Sequence, residues 1–211
     1  MDWTFRKLIT GYSIGSGVLM LLLAPVTLHA QTPAFDQLRE EFDRGRIFQA
    51  VFTHSYEDSY TGEENRTEGQ IWIGKDSYRV EGRDQVMVVD GEISRVYDRS
   101  RERLLVSTYE EEEDDFAPSR MLQGVDESYR VTEDESAGNT LITLRSDDPF
   151  SLFASVEITL DSEGIPLTIL AVDQAENRLI TQFEDGRFSD PTPDLFELSI
   201  PEGTERVDLR H

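Results

Sequence analysis

The residues that could carry acid–base or metal chemistry in this chain are one internal histidine and several neighbouring carboxylates. The chain has no cysteine and three histidines, of which only His54 lies away from the ends, so thiol catalysis, thiolate metal sites and a His-rich metal site are excluded. A Ser–His–acid triad would have to use His54, and no Gly-x-Ser-x-Gly turn is present in residues 31–211. We therefore expect no catalytic residue, and the protein should not be an enzyme.

Carboxylate pairs could in principle serve a glycosidase or hold a metal ion, and Asp114/Asp115 and Asp147/Asp148 are such pairs. Among 43 acidic residues such pairs arise by chance, and we interpret them as solvated surface. No phosphate-binding glycine loop and no calcium loop of the EF-hand kind occurs. The sequence thus implies no cofactor and no metal.

The charge balance excludes two classes of partner. Lys and Arg number 20 against 43 Asp and Glu, giving a net charge of −23 and a pI of about 4.3. Such a charge repels nucleic acids and anionic lipid headgroups. A hydrophobic content of 37% argues against a disordered polyanion. The composition suits either a protein from a salt-rich habitat or simply an acidic protein.

The first thirty residues predict a secretory signal peptide. Arg6 and Lys7 precede an apolar run at residues 18–24, and Ala30 is a suitable last residue before cleavage. The alternative is an uncleaved anchor, but the apolar run is shorter than the ~20 residues that a membrane span needs. We expect residues 1–30 to be removed and residues 31–211 to form one exported, soluble domain.

The elements that must position any site are mostly strands. Residues 31–45 predict a helix with Phe35, Leu38 and Phe42 on one stripe and Gly45 as its stop. Period-two alternation follows, beginning with Phe48, Ala50 and Phe52, and short turn sequences separate the segments. The further predicted strands cover residues 69–74, 77–81, 85–90, 93–98, 103–109, 128–132, 140–146, 154–161, 166–173 and 178–185.

These short connections favour antiparallel pairing of about eleven strands in one strongly curved sheet or open barrel. A two-layer sandwich would also bury such apolar faces. Residues 110–115 read as an acidic loop, residues 117–122 as a short helix and residues 148–154 as an irregular piece. One apolar face of such a sheet exceeds what one short helix can cover, so helical pieces, a ligand or a partner must complete its burial. Lys75, at a strand turn, could bond a helix end or be solvated.

Four segments in this order resemble the periplasmic outer-membrane lipoprotein carrier family, the LolA family. They are residues 48–53 (FQAVFT), residues 69–80 (GQIWIGKDSYRV), residues 88–91 (VVDG) with 96–98 (VYD), and residues 195–203 (LFELSIPEG). Lys75-Asp76 stands where the family commonly has Arg-Pro, Arg95 where it has Trp, and Ile200-Pro201 where it has two prolines.

The resemblance implies a single open half-barrel of antiparallel strands, with a helical lid over an apolar concave face. It also implies a monomeric periplasmic carrier that takes the acyl chains of lipoproteins from an inner-membrane transporter and passes them to an outer-membrane receptor. The alternative is an envelope sensing or regulatory module on the same fold, binding lipid or a partner protein. On the carrier interpretation the lid residues are Leu38, Phe42 and Lys75. The expected cavity wall is Phe48, Phe52, Ile71, Ile73, Tyr78, Val86 and Val88.

Overall fold

The computed structural model describes residues 32–110, 118–125 and 128–210. The expected signal peptide, most of the acidic loop and Ala117 of the expected second helix lie outside the described residues. Those residues form two helices and twelve strands. The elements are α1 (Pro33–Asp43), β1 (Ile47–Glu57), β2 (Glu64–Ile73), β3 (Tyr78–Gly82), β4 (Gln85–Val89), β5 (Ile93–Asp98), β6 (Arg103–Thr108), α2 (Pro118–Gln123), β7 (Arg130–Ser136), β8 (Asn139–Arg145), β9 (Phe153–Leu160), β10 (Pro166–Asp173), β11 (Arg178–Ser189) and β12 (Glu205–Asp208).

All twelve strands belong to one open sheet in the order β12-β6-β5-β4-β3-β2-β1-β11-β10-β9-β8-β7. Each pairing is antiparallel except that of β12 with β6, which is parallel. The chain builds one half from β1 to β6, then passes through α2 and returns from β7 to β11, which pairs with the free side of β1. The open, mainly antiparallel sheet predicted from the sequence is therefore confirmed, with β12 as the additional strand.

Glycines and a bulge bend the sheet near its centre. Gly69 of β2 pairs with Phe52 on one side and Gly82 on the other. A Cβ on Gly69 would lie 2.1 Å from the carbonyl oxygen of Glu81, so only glycine fits this close approach. On the other side of β1 the register with β11 shifts between Gln49 and Val51, as a β-bulge. These features curve the sheet around α1.

Helix α1 lies on one face of this sheet, as the apolar stripe predicts. Phe35, Leu38 and Phe42 are buried, and Gly45 ends the turn after the helix with φ 76°. The two faces of the sheet can be traced by register, because directly paired residues point to the same side. We call the side against α1 and α2 the helix-covered face and the other side the opposite face.

The main core fills the space between the helices and the helix-covered face. Side chains from β1, β2 and β8 to β11 pack there with Phe35, Leu38 and Phe42 of α1 and Met121 and Leu122 of α2. A second, smaller cluster lies on the opposite face, where Tyr97, Leu104 and Val106 contact Ile93 and Leu198. Strands β5 and β6 therefore carry buried apolar side chains on the side away from α1.

Candidate functional site

The centre of the candidate site is an apolar surface on β1 and β2, beneath α1. Phe48 pairs with Ile73, and Ala50 pairs with Ile71 one step along the strands. Phe48, Phe52, Ile71 and Ile73 are almost completely buried. Strand alternation places these side chains on the helix-covered face, as the sequence interpretation expects.

Aromatic contacts join this surface to the lid. The ring of Phe48 lies edge-on to that of Phe183 at 5.1 Å and also contacts Phe188 at 5.4 Å. Phe42 of α1 meets the same Phe188 edge-on at 5.4 Å. Phe42 therefore closes an aromatic cluster, and the lid occupies the apolar concavity with its own side chains.

Tyr78 extends the helix-covered face onto β3. It pairs with Ile73 on one side and with Val89 on the other, and it is buried. Its hydroxyl donates to the Sδ of Met87 at 3.4 Å, and its ring lies edge-on to that of Tyr109. Arg79 points to the opposite face, as its place between Tyr78 and Val80 predicts.

The placement of Val86 and Val88 in the cavity wall is wrong. Val86 pairs with Glu81 and Tyr97, and Val88 pairs with Arg79 and Arg95. Those partners lie on the opposite face, so both valines do too, although both are buried. The β4 segment Val86-Met87-Val88-Val89 is apolar on both sides because both sides are covered, and alternation alone therefore cannot assign its faces.

A polar contact holds the C-terminal end of α1 to the turn between β2 and β3. The Nζ of Lys75 lies 2.8 Å from the Oδ1 of Asp43, the last residue of α1. This hydrogen bond lowers the pKa of the Asp43 carboxyl and raises that of the Lys75 ammonium. The carbonyl of Lys75 also accepts a bond of 2.8 Å from the Nε2 of Gln123 in α2.

Lys75 therefore touches both helices, through its side chain and through its backbone. The sequence interpretation expects a bond to the carbonyls of a helix end, whereas the structure shows the Asp43 carboxylate as its acceptor. Since Asp43 places negative charge at the helix C-terminus, where it is unfavourable, Lys75 compensates it.

A second polar contact, which the sequence analysis misses, holds the N-terminal end of α1. The carboxylate of Glu133 on β7 accepts hydrogen bonds from the backbone N–H of Phe35 at 2.7 Å and of Ala34 at 3.3 Å. Thr32, the residue before the helix, makes no side-chain capping bond, so Glu133 satisfies N–H groups that the local sequence leaves open. Glu133 pairs with Ile142 and thus lies on the helix-covered face.

Two grooves of the described chain lie at the edges of the lid. A groove of about 850 Å³ runs between α1 and the β7–β8 and β9–β10 turns, lined by Gln37, Glu41, Glu135 and Asp161 among others. A smaller one of about 360 Å³ separates α1 from α2, beside Arg39, Lys75 and Gln123. Both grooves border the core at its polar rim.

His54 takes part in a hydrogen bond between two neighbouring strands. Its Nδ1 lies 2.8 Å from the Oγ1 of Thr181 across the β1–β11 pair, and burial lowers its pKa. Within residues 32–110, 118–125 and 128–210, no cluster of three or more His, Asp or Glu side chains could hold a metal ion.

The fold and this apolar surface define a class of protein, the open half-barrel whose concave face is closed by helices. No protein-family model matches the chain. It is 26% identical over 195 residues to the outer-membrane lipoprotein carrier protein of Chromohalobacter salexigens, an alignment that covers 88% of this chain and 92% of that protein. The resemblance predicted from the sequence is thereby confirmed as a similarity to a protein named as an outer-membrane lipoprotein carrier.

Solved structures resemble this chain at low sequence identity. An uncharacterized conserved protein from Thermus thermophilus aligns with a TM-score of 0.52 at 12% identity, over 82% of this chain and 98% of that one. A LolA superfamily protein from Nitrosomonas europaea aligns with a TM-score of 0.43 at 12% identity, over 77% and 97%. Among the described residues, none of the helices has the length and apolar character to cross a membrane.

Proposed function

We propose that this protein binds the acyl chains of lipoproteins between α1 and the helix-covered face and carries them through the periplasm. The observation that carries the proposal is the continuous buried apolar surface under a helix whose two ends are held by polar side chains. The likeness to a protein named as an outer-membrane lipoprotein carrier supports it.

The physical chemistry of acyl chains explains why such a surface is useful. Each CH₂ group gains about 0.8 kcal/mol on leaving water, so a lipoprotein needs an apolar enclosure to cross an aqueous compartment. Leu38 and Phe42 fill that enclosure in the described conformation. An entering acyl chain would replace them, so that apolar surface stays covered both with and without cargo.

The cavity wall on this proposal is Phe48, Phe52, Ile71, Ile73 and Tyr78, and Val86 and Val88 are left out. Delivery needs no reaction, because a receptor with a better-matched pocket can take the acyl chains by competition. The proposed function is therefore non-enzymatic binding, with an inner-membrane transporter as donor and an outer-membrane receptor as acceptor. Residues 1–30 would direct export, and the remaining chain would be the carrier domain.

Binding of a purified triacylated lipoprotein, followed by native mass spectrometry, tests the proposal. The protein should form a one-to-one complex, and Phe52→Glu and Ile73→Glu should abolish it because each puts a charge into the apolar enclosure. Val51→Glu is the matched control, because Val51 neighbours Phe52 on β1 but is exposed on the opposite face. Absence of a complex with the folded wild-type protein would contradict the carrier proposal.

A further inference from the structure

Three loops at one end of the sheet are joined into a single surface. They are residues 58–63 between β1 and β2, residues 146–152 between β8 and β9, and residues 174–177 between β10 and β11. We call them together the loop platform. They lie at the end of the strands away from the β2–β3 turn, which carries Lys75.

Hydrogen bonds between the loops fix their relative positions. The Oγ of Ser59 donates to the carbonyl of Ala175 at 2.6 Å, and the backbone N–H of Ser59 donates to the Oδ1 of Asn177 at 3.0 Å. The Nε2 of Gln174 donates to the carbonyls of Asp148 at 3.3 Å and Ser151 at 3.2 Å. The β10–β11 turn thus links the other two loops.

The platform presents two aromatic rings to water. Tyr60 is 96% exposed and Phe150 is 93% exposed, and among the exposed large apolar side chains of the described residues these two are the aromatic ones. A single exposed ring is ordinary on a protein surface. Two rings on hydrogen-bonded loops, almost fully exposed, are a feature that docking surfaces share.

Each ring follows an aspartate that orders its loop. The Oδ1 of Asp58 accepts from the backbone N–H of Tyr60 at 3.0 Å and of Thr61 at 2.7 Å. The Oδ1 of Asp148 accepts from the backbone N–H of Phe150 at 2.9 Å. The backbone that carries both rings is therefore ordered in advance of binding, which reduces the entropy lost when a partner docks.

The charged residues around the two rings indicate which kind of partner would bind there. Residues 57–64 contain four acidic residues, residues 146–152 two and residues 173–177 two. Arg130, 2.7 Å from Asp147, and Arg178, 3.8 Å from Glu57, offset part of this charge, and the balance stays acidic. This field repels anionic phospholipid and attracts a basic surface. Aromatic anchors on a predominantly acidic surface suit a partner that offers apolar sockets within a cationic face.

We propose that the loop platform is a docking surface for a cationic protein partner, with Tyr60 and Phe150 as the anchors that enter apolar sockets on it. The proposal goes beyond acyl-chain binding and does not depend on it, because the platform and the Lys75 contact of the lid lie at different ends of the strands. A partner could therefore hold the protein while the Lys75 end of the lid stays free to move.

The test uses two probes, a synthetic amphipathic helix of lysine and leucine and phosphatidylcholine vesicles. The double variant Tyr60→Ser/Phe150→Ser is compared with Val51→Ser/Leu209→Ser, which removes two exposed apolar side chains elsewhere and leaves the charge unchanged. We expect wild type and control to bind the peptide equally and the platform variant to bind more than about tenfold more weakly.

Equal peptide affinity in all three proteins, or no peptide binding by wild type, would overturn the proposal. Binding of wild type to the vesicles, lost in the platform variant, would overturn it in favour of a membrane surface. Unchanged one-to-one lipoprotein binding by the platform variant separates this test from that of the carrier function.

Discussion

The two faces of the central sheet are covered by different means. On the helix-covered face, α1 inserts Phe35, Leu38 and Phe42 into a large core and is held at its ends by side-chain contacts to Glu133 and Lys75. On the opposite face, the irregular segment 190–204 crosses the β3–β6 half and adds Leu198 to a small cluster.

Arg79 is the contact that holds this second cover. Its Nη1 donates to the carbonyls of Leu195 at 3.1 Å and Glu197 at 2.9 Å, while its guanidinium also pairs with Glu81 and lies over the ring of Trp72. The side chain is mostly buried, so these bonds are shielded from water. The polar contact that holds the cover of the opposite face is thus mostly buried, whereas the Lys75–Asp43 contact at the end of α1 is exposed to water.

The largest expected effects come from substitutions in the two cores, and only a substitution on the helix-covered face should also change cargo binding. Phe48→Ala should lower the free energy of unfolding by about 3–5 kcal/mol, because it leaves a cavity among Phe42, Phe183 and Phe188. Leu104→Ala on the opposite face should cost about 2–5 kcal/mol. Denaturant unfolding checks both values. Only Phe48→Ala should also change the affinity for lipoprotein, and an equal change in Leu104→Ala would remove the functional distinction between the faces.

The next largest effect is expected at Arg79, which holds segment 190–204 over the opposite face. Arg79→Ala should lower the free energy of unfolding by about 2–3 kcal/mol, since two carbonyls and Glu81 lose a charged donor. Hydrogen exchange should accelerate along residues 195–198 and stay unchanged in α1. Arg79→Lys is the control that keeps the charge but lacks the planar fork, and it should recover part of the loss. Faster hydrogen exchange in α1 would instead show that α1 and segment 190–204 are coupled.

A smaller effect is expected at the N-terminal end of the lid. Glu133→Ala should cost about 1 kcal/mol, the usual value for a lost helix cap. The amides of Ala34 and Phe35 should then exchange faster, because their acceptor is gone. Glu133→Gln keeps an acceptor without its charge, and its exchange rates should lie between those of the wild type and of Glu133→Ala. Unchanged exchange in Glu133→Ala would mean that the apolar contacts alone fix this end.

The smallest effect is the pH dependence of the Lys75 contact, whose partners are both exposed. Lys75 lowers the pKa of Asp43, so the folded state binds this proton less readily than the unfolded state does. The contribution is present above the ordinary carboxyl pKa and is lost as the pH falls through the lowered value. Lys75→Met should remove this acid dependence from the hydrogen exchange of α1, with little change in stability at neutral pH. Persistence of the same acid dependence in the variant would exclude the Lys75–Asp43 pair as its cause.

Most of the fold can be predicted from the sequence, because the patterns that specify its helices and strands are local. The stripe of Phe35, Leu38 and Phe42 predicts α1, and turn residues between alternating segments predict the strands from β1 to β11. Strand β12 is missed because its four residues are almost all exposed and form no alternating pattern. Its parallel pairing with β6 depends on a segment distant in sequence.

The residues of the candidate site can be predicted where one face of a strand is polar. The prediction fails where both faces are apolar. Phe48, Ile71 and Ile73 lie where alternation puts them, whereas Val86 and Val88 do not. Glu133 could be placed on the same face as Val131 by period two, but its capping role joins residues 98 positions apart and needs the folded sheet.

We expect α1 to move off the helix-covered face when cargo enters, and a distance between α1 and the sheet measures that movement. The chain has no cysteine, so spin labels at Gln37→Cys on the exposed side of α1 and Val51→Cys on the opposite face report one distance by pulsed electron resonance. We expect a single short distance distribution without cargo and a longer one in the one-to-one complex with a triacylated lipoprotein. A one-to-one complex with an unchanged distribution would contradict it.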